Sequence, residues 1–269
     1  MRLLSLARDL TRRKARERQG LFVAEGVRAV EAALAAGVRA RGALVAPALH
    51  ATPRGEALRS QLDQAGVDVL EVDDTTFASA ADTDTPQGVL LVADRPAASL
   101  DQLLAHAAEG GPGREFRLLV LDAVQDPGNV GTLARAAAAL GAAGVVALPG
   151  TVDLWGAKAV RAGMGAHFAV PLLHAGLEVL ADALDAAGIP LWGADGAGRG
   201  VDQAAADAPP RLALAVGNEG AGLAAATRER AAAFVSVPTT GAVESLNAAV
   251  AGSILLYALR PGGLRSNPG

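Results

Sequence analysis

The chain has 269 residues, of which 51% are hydrophobic, 3% aromatic and 19% charged, with a formal net charge of −4. That length fits one large domain or two modest ones, with cores packed mainly by alanine, valine and leucine. The absence of cysteine excludes disulfides, thiolate metal sites, iron–sulfur clusters and a cysteine nucleophile, and the net charge gives no global nucleic-acid signal. The four histidines, His50, His106, His167 and His174, show no paired metal-ligand spacing, so no metal is expected. No signal-peptide core opens the chain, and no run of about 20 residues is apolar enough to span a bilayer. A soluble cytoplasmic protein is the expectation.

The first segment is basic. Residues 2–18 hold Arg2, Arg8, Arg12, Arg13, Lys14, Arg16 and Arg18 against Asp9 and Glu17. Such a run is either a solvated face or a phosphate-binding one. After Gly20-Leu21-Phe22-Val23-Ala24-Glu25-Gly26, the spacing of Val27, Val30, Ala33 and Leu34 predicts a helix. Short apolar runs follow at Gly42 to Ala46, Val67 to Val72 and Gly88 to Ala93, with a helical segment at Glu56 to Gln64. Residues 1–95 thus read as a small α/β domain. Residues 96–113 read as a linker, in which Arg95-Pro96-Ala97-Ala98 and Glu109-Gly110-Gly111-Pro112-Gly113 bracket a short helix at Leu100 to Ala108.

Residues 114–269 alternate between the two element types. Strands are predicted at Arg117–Leu121, Gly144–Leu148, Phe168–Leu172, Pro190–Ala194, Leu212–Val216 and Phe234–Val237, with helices between them and a last helix at Leu246–Leu259. Near-continuous apolar strands alternating with helices imply a parallel sheet with helices on both faces. The stretch Gly193-Ala194-Asp195-Gly196-Ala197-Gly198 reads as a loop. No dinucleotide fingerprint and no Gly-Lys-Ser/Thr phosphate loop is present, which weighs against a small-molecule enzyme using a nucleotide cofactor.

Three polar clusters sit where strands end, the edge at which such sheets bind ligands. They are Asp126-Pro127-Gly128-Asn129-Val130-Gly131, Gly217-Asn218-Glu219-Gly220 and Glu244-Ser245-Leu246-Asn247. Each alone is an ordinary turn, with Asn129 as a helix cap. Arg135 stands among Ala134, Ala136, Ala137 and Ala138, either solvated or aimed into a cleft. Leu148-Pro149-Gly150-Thr151 ends another strand, as a turn or as a backbone wall for a purine. Lys158 and Arg161 share one helix face, solvated or on phosphate. Ser245 has no histidine placed to activate it, so a Ser-His-Asp hydrolase is poorly supported.

In this order and spacing, the Asp126–Gly131 motif with Arg135, Val216-Gly217-Asn218-Glu219-Gly220, and Val237-Pro238 with Ser245-Leu246-Asn247 resemble the three motifs of the SpoU/TrmH family of RNA 2′-O-ribose methyltransferases. Arg161-Ala162-Gly163-Met164-Gly165-Ala166 looks like the family's helix after the second strand. In the first half, Arg12-Arg13-Lys14, Gly20 to Gly26 and Thr85-Pro86-Gln87-Gly88-Val89 resemble the substrate-binding domain of rRNA-directed members, itself similar to ribosomal protein L30e.

The resemblance implies a C-terminal deep trefoil knot, an S-adenosyl-L-methionine cofactor and a homodimer. It implies that Pro149, Gly150, Thr151, Gly217, Asn218, Val237 and Leu246 bind the cofactor. It also implies that Asn129, Glu219, Ser245 and Asn247 order the ribose, the phosphate and Arg135. The family's proposed general base falls on Arg135, although arginine normally stays protonated; the alternative is that Arg135 orients and stabilises an alkoxide. RNA is the implied partner, most naturally ribosomal, with transfer RNA or a non-catalytic RNA-binding role as alternatives. The face carrying Arg8, Arg12, Arg13, Lys14 and Arg16 is expected to meet RNA phosphates.

Overall fold

The computed structural model describes residues 2–108 and 115–260. The chain divides into two compact units, Met1–Ala97 with Asp153–Ala169, and Ala98–Val152 with Val170–Gly269. The glycine-rich end expected for the linker, Glu109 to Gly113, lies outside the described residues. No described helix is long and apolar enough to cross a membrane.

The first unit begins with α1 (Arg2–Asp9) and α2 (Arg13–Gln19), followed by β1 (Leu21–Glu25), α3 (Val27–Ala35), β2 (Ala40–Val45), α4 (Pro53–Gln64), β3 (Val69–Glu71), α5 (Asp74–Ala78) and β4 (Val89–Asp94). Its sheet order is β1-β4-β2-β3, antiparallel except for the β2–β3 pair. All of β1 is buried, the apolar run Leu21 to Ala24 together with the carboxylate Glu25 that ends it. Thr52 and Asp73 start α4 and α5 as side-chain caps. The later segment Asp153–Ala169 completes this core. Phe22 stacks on Trp155 at 5.0 Å and on Phe168 at 5.6 Å.

The second unit holds α6 (Leu100–Ala108), β5 (Phe116–Leu121), α7 (Pro127–Ala139) and β6 (Gly144–Ala147). Helix α8 (Ala157–Gly163) belongs to the first unit. The second unit resumes with β7 (Leu172–His174), α9 (Leu177–Ala186), β8 (Leu191–Gly200), α10 (Val201–Ala204), β9 (Arg211–Val216), α11 (Ala225–Arg230), β10 (Ala233–Ser236) and α12 (Ala248–Ala258). The six strands run β10-β8-β9-β5-β6-β7, and every pairing is parallel. Gly252 lets α12 approach closely. A Cβ there would stand 2.6 Å from Leu133 of α7 and 3.0 Å from Val216 of β9.

Three expectations need correction. The strand expected at Phe168–Leu172 starts only at Leu172, because residues 166–168 form a 3₁₀ turn that carries Phe168 into the aromatic cluster. The glycine-rich stretch 193–198 is part of β8, not a loop. Gly193 and Gly198 are needed because β10 comes close: a Cβ on Gly193 would stand 2.9 Å from the Phe234 ring, and one on Gly198 2.6 Å from the Val235 nitrogen. The pairing with β10 jumps there from Gly193 to Arg199. Finally, α12 starts at Ala248 rather than Leu246, since the Asn247 side chain accepts from the backbone N–H of Ala249 and Val250 as its cap.

Candidate active site

All six strands of the second unit are parallel, so their carboxyl ends share one edge. The Asp126, Gly217 and Ser245 clusters follow or flank those ends. The first turn leaves β5 through Asp122 and Ala123. The Asp122 carboxylate is buried and accepts from the Ala224 N–H at 2.7 Å, tying the β5 end to the segment after β9. Ala123 adopts φ 56, a left-handed conformation uncommon for a residue with a Cβ. Its carbonyl accepts from Asn218 Nδ2 at 2.9 Å. Asp126, not Asn129 as expected, caps α7: its carboxylate accepts from the Asn129 N–H at 2.8 Å, which places Asn129 inside the first turn beside Pro127.

Glu219 is the hub. Its carboxylate accepts from the N–H of Gln125 at 3.2 Å, from the N–H of Asp126 at 3.1 Å and from Asn129 Nδ2 at 2.9 Å. Asn129 Oδ1 in turn accepts from Asn247 Nδ2 at 3.0 Å. Glu219, Asn129 and Asn247 therefore form one continuous chain joining residues more than 110 positions apart in sequence. Burial pushes the Glu219 carboxyl up, but the bonds from Asn129 and the backbone outweigh it and hold the group below the usual carboxylate range. The hub is an anion at neutral pH, an acceptor and not an acid.

Arg135 lies one and a half turns further along α7. It is exposed, and among the described residues its guanidinium has no hydrogen bond or ion pair. Helix α7 contains no acidic residue that could claim it. Ser245 is likewise exposed and unpartnered among the described residues, so the structure does not bring it into the chain. Thus Asn129, Glu219 and Asn247 are brought together, while Arg135 and Ser245 stand free of them.

The residues expected to hold a cofactor divide into two kinds. Asn218 and Thr151 spend their side chains on the scaffold. Asn218 Oδ1 accepts from the N–H of Gly220 and Ala221, and Thr151 donates to the Leu121 carbonyl at 2.9 Å. Gly150 adopts φ 91, and its carbonyl accepts from Gln125 Nε2. Gly217 has no room for a Cβ, which would meet the Gly222 carbonyl carbon at 2.3 Å. The second kind is backbone. Among the described residues, nothing accepts from the backbone N–H of Gly150, Gly217, Val237 or Leu246. Unspent donors at the ends of β6, β9 and β10 suit a ligand read by main-chain hydrogen bonds, as a nucleobase is. Pro149 has no N–H and shapes the same turn.

Asp122 and Gln125 were not singled out by their sequence pattern. Only the polarity of Asp122 directly after an apolar strand pointed to it, and nothing marked Ala123.

The basic segment of the first unit is rearranged more strongly. Arg16 is not a surface cation. It is buried, paired with Asp153 at 2.6 Å, and donates to the carbonyls of Leu10 and Thr11. Its expected place on a phosphate-binding face is therefore corrected: a committed, desolvated guanidinium cannot meet RNA. Arg8 donates to Ser79, Arg12 to Asp9 and Arg13 to Glu17, all at the surface. Lys14 is exposed.

Comparison with known proteins identifies the family and the fold. The SpoU rRNA Methylase family model matches residues 117–257, and the MRM3-like substrate binding domain model matches residues 5–91. A 23S rRNA (guanosine(2553)-2′-O)-methyltransferase from Bacillus subtilis is 34% identical over 253 residues, 94% of each chain. The SpoU methyltransferase AviRb from Streptomyces viridochromogenes, solved with the cofactor AdoMet, superposes with a TM-score of 0.80 at 29% identity over 95% of each chain. An AdoMet-bound rRNA methyltransferase from Sinorhizobium meliloti gives 0.77 at 31% identity, over 95% of this chain and 92% of that one.

Proposed function

The chain belongs to the SpoU rRNA methylase family, and from that premise we propose that it is an S-adenosylmethionine-dependent enzyme methylating a ribose 2′-hydroxyl of ribosomal RNA. The observation that carries the reading is the Glu219–Asn129–Asn247 chain, which fixes the start of α7 and leaves Arg135 without a partner. When bound, the cofactor supplies a methyl group on a sulfonium, an electrophile strong enough that positioning is the main demand on the protein. Gly150, Gly217, Val237 and Leu246 would hold it through the unspent backbone donors. Arg135 would donate to the 2′-oxygen and stabilise the charge developing there. An exposed guanidinium suits a donor better than a base, so the proton leaves to solvent. Asn129 and Asn247 would hold the ribose and its phosphate in register. Ser245 would join them once RNA is present.

The residues 1–95 region would serve as the L30e-like substrate-binding domain and residues 114–269 as the methyltransferase domain, joined through 96–113. Arg8, Arg12, Arg13 and Lys14 would meet phosphates at its edge, since exposed ion pairs are weak enough for RNA to displace. A deep trefoil knot in the second unit is supported by the strand order, in which β9 inserts between β5 and the earlier strand β8. A homodimer is supported by Val250, Ile254 and Tyr257, exposed at successive turns of one α12 face. A cytoplasmic location is part of the same reading and is supported by the similarity to a Bacillus subtilis 23S rRNA enzyme.

Labelled methyl transfer to total ribosomal RNA and to total transfer RNA tests the reading. Label in ribosomal RNA alone is expected. Label in transfer RNA alone would move the substrate assignment, and none in either would leave a non-catalytic RNA-binding protein.

A further inference from the structure

The first unit carries a cavity of about 640 Å³ whose lining includes Glu25, Arg28, Arg54, Gln87, Arg161 and Met164. Its lining belongs wholly to the first unit and shares no residue with the strand-end site. Glu25 ends β1 and is 1% exposed. One carboxylate oxygen accepts from the Asp82 N–H at 2.9 Å and from Arg161 at 3.3 Å. The other, Oε1, is buried with no hydrogen-bond partner among the described residues. A buried carboxylate left half-satisfied is costly and calls for an explanation.

The carboxylate's other oxygen holds Arg161 at the cavity. Arg161 places one N–H on Glu25, which tethers the guanidinium at the cavity. A guanidinium has five N–H donors in a rigid fork, so the others remain for a ligand. Arg28 is exposed and has no partner among the described residues. Arg54 is already forked onto Glu31 through bonds of 2.6 and 2.9 Å, which RNA would first have to exchange. The cavity therefore offers two cations with donors free at the outset, Arg28 and Arg161. Gln87 accepts from the Val27 N–H through Oε1, which leaves its Nε2 amide as a directed donor. Met164 is 38% exposed and held at φ 50, a conformation that costs energy for a non-glycine residue. It presents a polarisable apolar surface beside the cations.

Two phosphate-competent cations, an amide donor and an apolar platform in one recess are the parts that recognise an unstacked nucleotide. We propose that this cavity takes a single-stranded nucleotide of the substrate RNA, its phosphate on Arg28 and Arg161, its base on Met164 and a base or sugar oxygen on Gln87. The proposal rests on the reading of the chain as acting on RNA, and places a principal RNA contact in this recess as well as on the basic helices.

The test uses the full chain and an unmodified large-subunit ribosomal RNA transcript, with Kd measured across a salt series for the wild type, Arg28→Ala and Met164→Gly. Arg28→Ala is expected to raise Kd about tenfold, the effect of one charged hydrogen bond, and to lower the log–log salt slope by about 0.7. Met164→Gly, which suits a left-handed backbone, is expected to raise Kd severalfold at unchanged slope. Wild-type Kd and slope in both variants would overturn the proposal. Methyl transfer is read separately in the same samples. RNA that binds through the cavity but receives no methyl would defeat the catalytic reading and leave this one standing.

Discussion

The strand-end cluster of the second unit and the basic helices of the first handle cations in opposite ways. Around α7, the carboxylate Glu219 is consumed by Asn129 and two backbone N–H groups, the helix carries no acid of its own, and Arg135 has no partner among the described residues. Around α1 and α2, acids claim the arginines: the interleaved Asp9 and Glu17 and the sequence-distant Asp153 each hold at least one. A cation's usefulness therefore depends on where the nearest carboxylate is spent. Exposed pairs can be exchanged for RNA phosphate, whereas the buried Arg16–Asp153 pair cannot, because breaking it strands a desolvated charge.

That contrast can be broken in several places. The largest effect is expected for Arg16→Ala, which leaves Asp153 buried and unpaired and should cost about 3–5 kcal/mol of stability. Denaturant unfolding would read this, and the salt slope of RNA binding should not move. A flattened slope in a variant of wild-type stability would return Arg16 to the RNA face. Next, Arg135→Ala should lower kcat by at least about a hundredfold, the scale of a lost transition-state donor. Its melting temperature and RNA affinity should hold, because the side chain has no partner to abandon. Near-normal turnover would remove Arg135 from the chemistry.

An acid titration probes the first unit's interior. Burial pushes His167 down to about 4, against smaller opposing effects of the Leu154 carbonyl and the nearby Asp153. Its Nε2 donates to that carbonyl at 2.8 Å, and Nδ1 is buried without a partner among the described residues. The folded protein thus resists a proton that the unfolded chain takes up near pH 6.5. Stability should fall as pH drops from about 6.5 towards 4, at up to about 1.4 kcal/mol per unit. His167→Gln should flatten that part of the profile, and an unchanged profile would exclude His167 as its source. The smallest effect is expected for Glu219→Gln. The amide keeps an acceptor but loses the charge and one acceptor position, for about 1 kcal/mol of stability and a measurable fall in methyl transfer. Unaltered activity would show that the chain of carboxamides holds without its hub.

Much of this was legible in the sequence. Strands β5, β6, β9 and β10 were marked by apolar runs, and the polar motifs after them by amides and glycines. What was hidden was partnership. No spacing rule pairs Arg16 with Asp153, 137 positions away, or sends the segment containing Trp155 and Phe168 to pack on Phe22. Periodicity also fails where glycine serves a close neighbour: the stretch 193–198 reads as a loop until β10 is seen beside it. Thr151 and Asn218 are in the predicted motifs, yet their side chains hold the scaffold and only the main chain nearby is available.

The most direct measurement is nucleoside analysis of ribosomal RNA after reaction with the wild-type protein and labelled S-adenosylmethionine. The account predicts that the label is recovered in a 2′-O-methylated nucleoside, and that Arg135→Ala abolishes most of it. Label on a base, or none in ribosomal RNA at all, would contradict it.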